Sequence, residues 1–144
     1  MVIVGAALWA LSAVLSGVSA QAPAGRTVWD GVYTEEQAKR GSELYTKACA
    51  SCHSESLTGL ESAPPLTGEQ FNGNWSGTTL GELAERIRIS MPADMPGSLS
   101  RPQLGDLLAH LLKVDGFPAG TTPLDPQAVA LAQIRFESVR PAPR

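Results

Sequence analysis

The chain has 144 residues and a formal net charge of −3 at neutral pH, and its eleven basic and fourteen acidic side chains all lie beyond residue 20. A chain of this length predicts one domain at most. The negative charge and the absence of a basic stripe argue against binding to nucleic acid, because clustered basic side chains are what phosphates require.

The chain begins with an apolar segment. Residues 1–20 carry no charge and end in small side chains, as secretory signal peptides do before their cleavage site. We expect this segment to be a signal peptide that is cleaved after Ala20 or Ala22, and the mature protein to lie in the periplasm. The alternative is a membrane anchor that is retained, since about 20 apolar residues can just span a bilayer.

Three helices are predicted in the rest of the chain, and each begins with a capping box. The boxes are Thr34 with Gln37, Thr79 with Glu82, and Ser100 with Gln103. Pro92 ends the second helix by Met91, and Gly116 is a stop signal for the third. A short fourth helix is expected at about 126–135, whereas the stretch 54–78 is expected to be irregular. No window alternates with the period of a strand, so the expected fold is all-α.

The domain formed by these helices is expected to span residues 34–116. Residues 21–33 are then an N-terminal extension, which Trp29 and Tyr33 are expected to pack against the body. Residues 117–144 are expected to be a C-terminal extension that packs on the domain.

The two cysteines of the chain lie together at the end of the first helix, in Cys49-Ala50-Ser51-Cys52-His53. Cys-x-x-Cys-His is the spacing of c-type haem attachment. On a helical turn, the two thiols point to one side and reach the two vinyl groups of a porphyrin, and the adjoining histidine falls under the iron. The motif therefore predicts one haem c, bound covalently through Cys49 and Cys52 and ligated by His53.

Three other interpretations of the cysteines are weaker. A thioredoxin-like redox pair requires a βαβ context, which the flanking sequence does not predict. A zinc site needs four ligands, and the chain holds only one further histidine, His110. A disulfide at this spacing would close a small, strained loop with little entropic gain.

Two methionines, Met91 and Met95, are candidates for the second axial ligand of a haem iron. Met91 is favoured because Pro92 forces the chain to leave the helix there, and a ligand at a helix exit can be aimed at a cofactor. Met95 lies between Asp94 and Pro96, in a stretch expected to turn toward solvent. Met95 remains the alternative ligand.

These motifs resemble the class I c-type cytochromes. That family has a glycine, an aromatic residue and the first cysteine at intervals of four, as Gly41, Tyr45 and Cys49 stand here. Its last helix is similar to "GDLLAHLLKV", residues 105–114, and crosses the first helix at the glycine; His110 stands where the family usually has an aromatic residue. The resemblance implies a cytochrome c-like fold, with three main helices and short helical segments around one covalently bound haem.

The resemblance also implies roles around the haem. "PPLTG" fits the family's Pro-x-Leu-x-Gly, in which the carbonyl of Pro64 accepts a hydrogen bond from Nδ1 of the proximal histidine. Trp75 matches a tryptophan that borders the haem and donates to a propionate, with an ordinary core position as its alternative. The family's Met-Pro-x-x-x-Pro-Gly places the ligand at Met91. We expect a flat apolar cavity between His53 and the methionine, lined by Leu66, Trp75, Leu83 and Ile87.

A closer similarity covers nearly all of residues 28–138 and is to small bacterial cytochromes that accompany, or are fused to, pyrroloquinoline-quinone-dependent dehydrogenases. Its segments include "WDGVYTEEQAKRG", "ERIRISMP" and "GFPAG". The implied function is that of a monohaem electron carrier, not an enzyme, acting as a monomer or as a subunit of a redox complex. Its expected partners are a periplasmic dehydrogenase of the quinoprotein type and an oxidase or another cytochrome; contact with a membrane is expected only if residues 1–20 are retained. The alternative function is a haem peroxidase or a ligand-binding haem sensor whose sixth coordination position can open.

Overall fold

The computed structural model describes residues 25–61 and 63–142, and the predicted signal peptide lies outside the described residues. The all-α fold is confirmed, and no helix within the described ranges is long and apolar enough to cross a membrane. The elements in chain order are β1 (Arg26–Thr27), α1 (Glu35–Ala48), α2 (Ala50–His53), α3 (Gly68–Trp75), α4 (Leu80–Ser90), α5 (Arg101–Val114), α6 (Ala128–Leu131) and β2 (Ile134–Arg135).

All three predicted capping boxes are present at the starts of α1, α4 and α5. The hydroxyls of Thr34, Thr79 and Ser100 accept a hydrogen bond from the backbone N–H three residues on, at 3.3, 3.2 and 3.4 Å. Each of these hydrogen bonds satisfies an N–H that has no partner inside its helix. At the other end, α4 stops at Ser90 and leaves Met91 as its C-cap residue.

Two features differ from the sequence prediction. The helix α3 lies inside the stretch 54–78 that was expected to be irregular, and its N-cap residue Thr67 makes no capping bond with its own helix. The strands β1 and β2 pair in parallel. This pairing takes Ile134 out of the helix expected at about 126–135, so α6 is only one turn long.

The helices α1 and α5 cross at Gly41. A Cβ added there would lie 1.9 Å from the backbone oxygen of Asp106 and 2.8 Å from the Cβ of His110, so only a residue without a side chain allows this approach. Beside the crossing, Arg40 donates two hydrogen bonds to the Asp106 carboxylate, at 2.8 and 2.7 Å. Because the Cys-x-x-Cys-His segment follows α1 directly, the crossing fixes its start against the rest of the molecule.

The segments at both ends of the described chain pack against each other, and both contribute side chains to the hydrophobic core. Trp29 donates its indole proton to the backbone oxygen of Glu137 at 2.8 Å, and its ring meets Phe117 edge to face. The hydroxyl of Tyr33 donates to the backbone oxygen of Phe117 at 2.7 Å. The expected packing of Trp29 and Tyr33 is confirmed, whereas the proposed domain boundaries stay predictions.

Candidate functional site

The Cys-x-x-Cys-His segment forms a tight helical turn. Cys49 is both the C-cap of α1 and the N-cap of α2, and its carbonyl accepts hydrogen bonds from the backbone N–H groups of Cys52 and His53, at 3.1 and 2.9 Å. Both thiols are free, with Cys49 half-buried and Cys52 exposed. Burial, and to a smaller extent Cys52, raises the pKa of the Cys49 thiol. The two sulfurs and the imidazole therefore come from a single turn of the chain.

His53 is buried, with 6% of its surface exposed, and its imidazole has a defined proton arrangement. Its Nδ1 lies 2.8 Å from the carbonyl oxygen of Pro64. A carbonyl oxygen can only accept, so Nδ1 must carry the proton and donate it. In the neutral ring the lone pair is then on Nε2, which is the state that a metal ligand needs. The hydrogen bond expected between His53 and Pro64 is confirmed, and the donor chemistry of this site fits a haem iron.

The loop after the motif brings Pro64 back to His53. Gly59 has a φ of +80°, and a Cβ on it would lie 2.5 Å from a backbone oxygen across the loop, so a side chain there would break the turn. The backbone N–H of Leu66 donates to the oxygen of Leu57 at 2.8 Å. The loop thus closes on itself, with the acceptor carbonyl on one arm and the histidine at its base.

Trp75 is the last residue of α3 and is half-buried against the core. Its ring centroid lies 6.4 Å from that of Phe71, which is buried. The side chains expected to line a haem cavity with Trp75 are buried or half-buried: Leu83, Ile87 and Leu66. A bond from Trp75 to a haem propionate and the cavity itself stay predictions.

The two candidate methionines differ in their surroundings. Met91 is half-buried and packs against the core, and its backbone N–H donates to the oxygen of Ile87 at 2.8 Å as α4 ends. Met95 is 62% exposed and lies in a turn, in which its own backbone N–H donates to the oxygen of Pro92. The prediction that Met95 turns toward solvent is confirmed, and the choice of axial ligand stays a prediction.

His110 lies on the face of α5 that packs against α1, as predicted. Only 8% of its surface is exposed, and its ring centroid lies 5.3 Å from that of Tyr45. Its Nε2 is buried and has no hydrogen-bond partner among the described residues. Burial, and to a smaller extent the charge of Lys113, lowers the pKa of His110. A depression of about 610 Å³ next to it is lined by α1 and α5 and includes no residue of the Cys-x-x-Cys-His segment.

Asp115 is a residue that the sequence analysis missed. It is the C-cap of α5, yet its Oδ1 accepts hydrogen bonds from the Thr67 hydroxyl, the Gly68 backbone N–H and the Asn72 amide, at 3.0, 2.9 and 2.9 Å. The carboxylate therefore caps α3 from a distant part of the chain. Its position could have indicated this role. An acidic residue at the C-terminal end of a helix interacts unfavourably with the dipole of that helix, which suggests that it is held there by hydrogen bonds to another element.

Comparison with known proteins identifies one family. Residues 36–111, more than half of the chain, match the family described as cytochrome C oxidase, cbb3-type, subunit III. A solved chain from the crystal structure of the sulfane dehydrogenase SoxCD from Paracoccus pantotrophus matches with a TM-score of 0.49 and 21% sequence identity. The match covers 75% of this chain and 61% of that one. No curated protein matches the chain.

Proposed function

The chain belongs to the cytochrome c family described as cytochrome C oxidase, cbb3-type, subunit III, and we propose from this premise that it is a monohaem cytochrome that carries single electrons outside the cytoplasm. The family implies a covalently bound haem c, and the spacing of Cys49 and Cys52 is compatible with that attachment. The observation that carries the proposal is the state of His53. Its Nδ1 proton is committed to Pro64, so its Nε2 lone pair is free to bind iron.

Four side chains are proposed to hold the cofactor: Cys49, Cys52, His53 and Met91. When bound, haem c supplies an iron that takes up and gives back one electron. Cys49 and Cys52 would attach the porphyrin through thioether bonds, and His53 and Met91 would ligate its iron. Ligation by a histidine and a methionine would raise the reduction potential and would leave no coordination position open. A filled coordination sphere supports electron transfer at the cofactor edge, because no substrate has to bind the metal.

The surroundings of the two methionines support Met91 as the ligand. A ligand must be held in the interior beside the cofactor, and Met91 is half-buried at the exit of α4, whereas Met95 is 62% exposed. A ligand held by packing loses little further freedom when it binds a metal. Met95 would have to move out of its exposed turn to do so.

The remaining parts of the proposal concern partners and location. The apolar residues 1–20 support export to the periplasm. The proposed donor is a quinoprotein-type dehydrogenase and the proposed acceptor an oxidase or another cytochrome, by the resemblance of the motifs quoted above. Encounters of this kind use small interfaces, below about 1,200 Å² in total, so we expect brief contacts that form and separate quickly.

The test compares the chain matured with haem with Met91→Ala and Met95→Ala. We expect the unmodified protein to be low-spin in both oxidation states, to show the thioether-to-iron charge-transfer band when oxidised, and to titrate as one one-electron couple. Met91→Ala should lose that band and show a lower potential. Met95→Ala is the matched control and should leave both unchanged. A high-spin oxidised protein that binds exogenous ligands at the iron would contradict the proposal.

A further inference from the structure

We propose that Asp115 is a positioning residue for His53, and that it acts through the segment 64–68, which carries the carbonyl that accepts the His53 proton. The inference rests on the proposed function, since it takes His53 as the haem ligand. Asp115 and His53 are far apart in the chain and share no hydrogen bond, so the effect has to pass through this segment.

The segment is held at both ends. At its start, the carbonyl of Pro64 accepts the hydrogen bond from Nδ1 of His53 at 2.8 Å. At its end, the Thr67 hydroxyl and the Gly68 N–H both donate to Oδ1 of Asp115, at 3.0 and 2.9 Å. Only two residues separate Pro64 from Thr67, so a shift at the Asp115 end displaces the carbonyl that His53 needs.

A second tie on the segment does not replace the one from Asp115. The N–H of Leu66 donates to the oxygen of Leu57, which is a buried core residue, but this bond holds the middle of the segment and leaves Thr67 and Gly68 to Asp115. Asp115 follows α5, which is pressed against α1 at Gly41. Since α1 runs directly into the Cys-x-x-Cys-His segment, Asp115 links the two arms of the site through the rigid pair of helices.

The chemistry of Asp115 suits α3 rather than α5. A carboxylate at the C-terminal end of α5 opposes the dipole of that helix, whereas at the N-terminal end of α3 it satisfies the free N–H of Gly68 and complements the dipole. Asn72, in the second turn of α3, adds a third hydrogen bond at 2.9 Å. Burial raises the pKa of Asp115, and the three hydrogen bonds offset this rise only in part, so each of the three donors stabilises a carboxylate that its buried position disfavours. The position of Asp115 is therefore explained by the segment that it holds.

Loss of Asp115 should change His53 in a recognisable way. When the segment is freed, the Nδ1 proton of His53 meets its acceptor less often and exchanges faster with solvent. A weaker hydrogen bond at Nδ1 also makes the imidazole a poorer donor to oxidised iron, which raises the reduction potential. General loosening of the protein acts in the opposite direction, because entry of water stabilises the more highly charged oxidised site and lowers the potential.

The experiment measures the exchange rate of the His53 Nδ1 proton by NMR in the reduced, haem-bound protein, together with the reduction potential. Asp115→Ala is expected to speed exchange by about tenfold or more and to raise the potential. Asp115→Asn keeps a carbonyl oxygen for the three donors and is expected to restore both values. If Asp115→Ala does not fold, Asn72→Ala and Thr67→Val, which each remove one donor, should give smaller shifts in the same directions.

The matched control is Asp106→Ala, which removes an aspartate of the same helix together with its two hydrogen bonds to Arg40, but leaves the segment 64–68 untouched. It should alter neither the exchange rate nor the potential. The positioning role alone would be overturned if the unmodified chain binds haem but the Asp115 and Asp106 variants exchange the proton at equal rates. A lowered potential in haem-bound Asp115→Ala would overturn it as well. An unmodified chain that takes up no haem during maturation would overturn the proposed function and this inference with it.

Discussion

Gly41→Ala is expected to destabilise the protein although alanine is the better helix former. An added Cβ would lie 1.9 Å from the backbone oxygen of Asp106, whereas a comfortable C···O contact is about 3.3 Å or longer. The helices α1 and α5 would have to separate by about 1.4 Å, the difference between that contact and the 1.9 Å distance, and the obstacle is backbone, which cannot rotate away. Overpacking of this kind costs about 1–3 kcal/mol, against a gain of up to about 1 kcal/mol in helix propensity.

Because the obstacle is backbone, we expect a cost at the upper end of that range and a net loss of about 2 kcal/mol in the free energy of unfolding. A loss of this size lowers Tm by about 10 °C in a domain of this size. The assay is thermal and urea unfolding of the matured protein. Gly73→Ala is the matched control, because Gly73 lies in α3 and a Cβ there meets nothing within 4 Å; it should be neutral or stabilise by up to about 1 kcal/mol. Equal stabilities for the two variants would refute the reasoning about the helix crossing.

Two further predictions concern buried side chains. Folding lowers the pKa of His110, so the unfolded chain binds the proton first as the pH falls, and the free energy of unfolding should decrease below about pH 6.5 until the folded pKa is reached. His110→Phe should flatten this pH dependence in urea unfolding between about pH 5 and 8, the range in which histidine titrates. An unchanged pH dependence would show that other groups cause it. Tyr45→Phe removes a 2.7 Å hydrogen bond to the backbone oxygen of Ser54 and should cost about 1–2 kcal/mol in the free energy of unfolding, measured from the urea midpoint; a variant as stable as the unmodified protein would mean that water replaces the hydroxyl.

Local signals predicted the three long helices. Each of Thr34, Thr79 and Ser100 meets its partner three residues on, so a short window of sequence contains the whole interaction. Pro92 acts just as locally, through the backbone of the residue before it. Such signals do not depend on the rest of the fold, and the starts of α1, α4 and α5 and the end of α4 follow from them.

The features that sequence reasoning missed depend on distant contacts. The helix α3 is capped by Asp115, which is 47 residues away from Gly68 along the chain, and no local pattern reveals that partner. The strand β2 forms because Ile134 pairs with Arg26, which lies near the other end of the chain. A strand of two residues is also too short to show an alternating pattern. The hydrogen bond from His53 to Pro64 is also non-local, and it was predicted only because the motif resembled a known family.

The proposed function requires that Cys49 and Cys52 bind one haem covalently. The most direct measurement is the mass of the protein after maturation with haem and denaturation, with Cys49→Ala/Cys52→Ala as the control. We predict that the denatured unmodified chain retains the mass of one haem, that digestion locates this mass on the peptide containing residues 49–53, and that the double variant retains no haem. A denatured chain without haem, or with the two cysteines joined as a disulfide instead, would rule out covalent haem attachment and with it the proposed function.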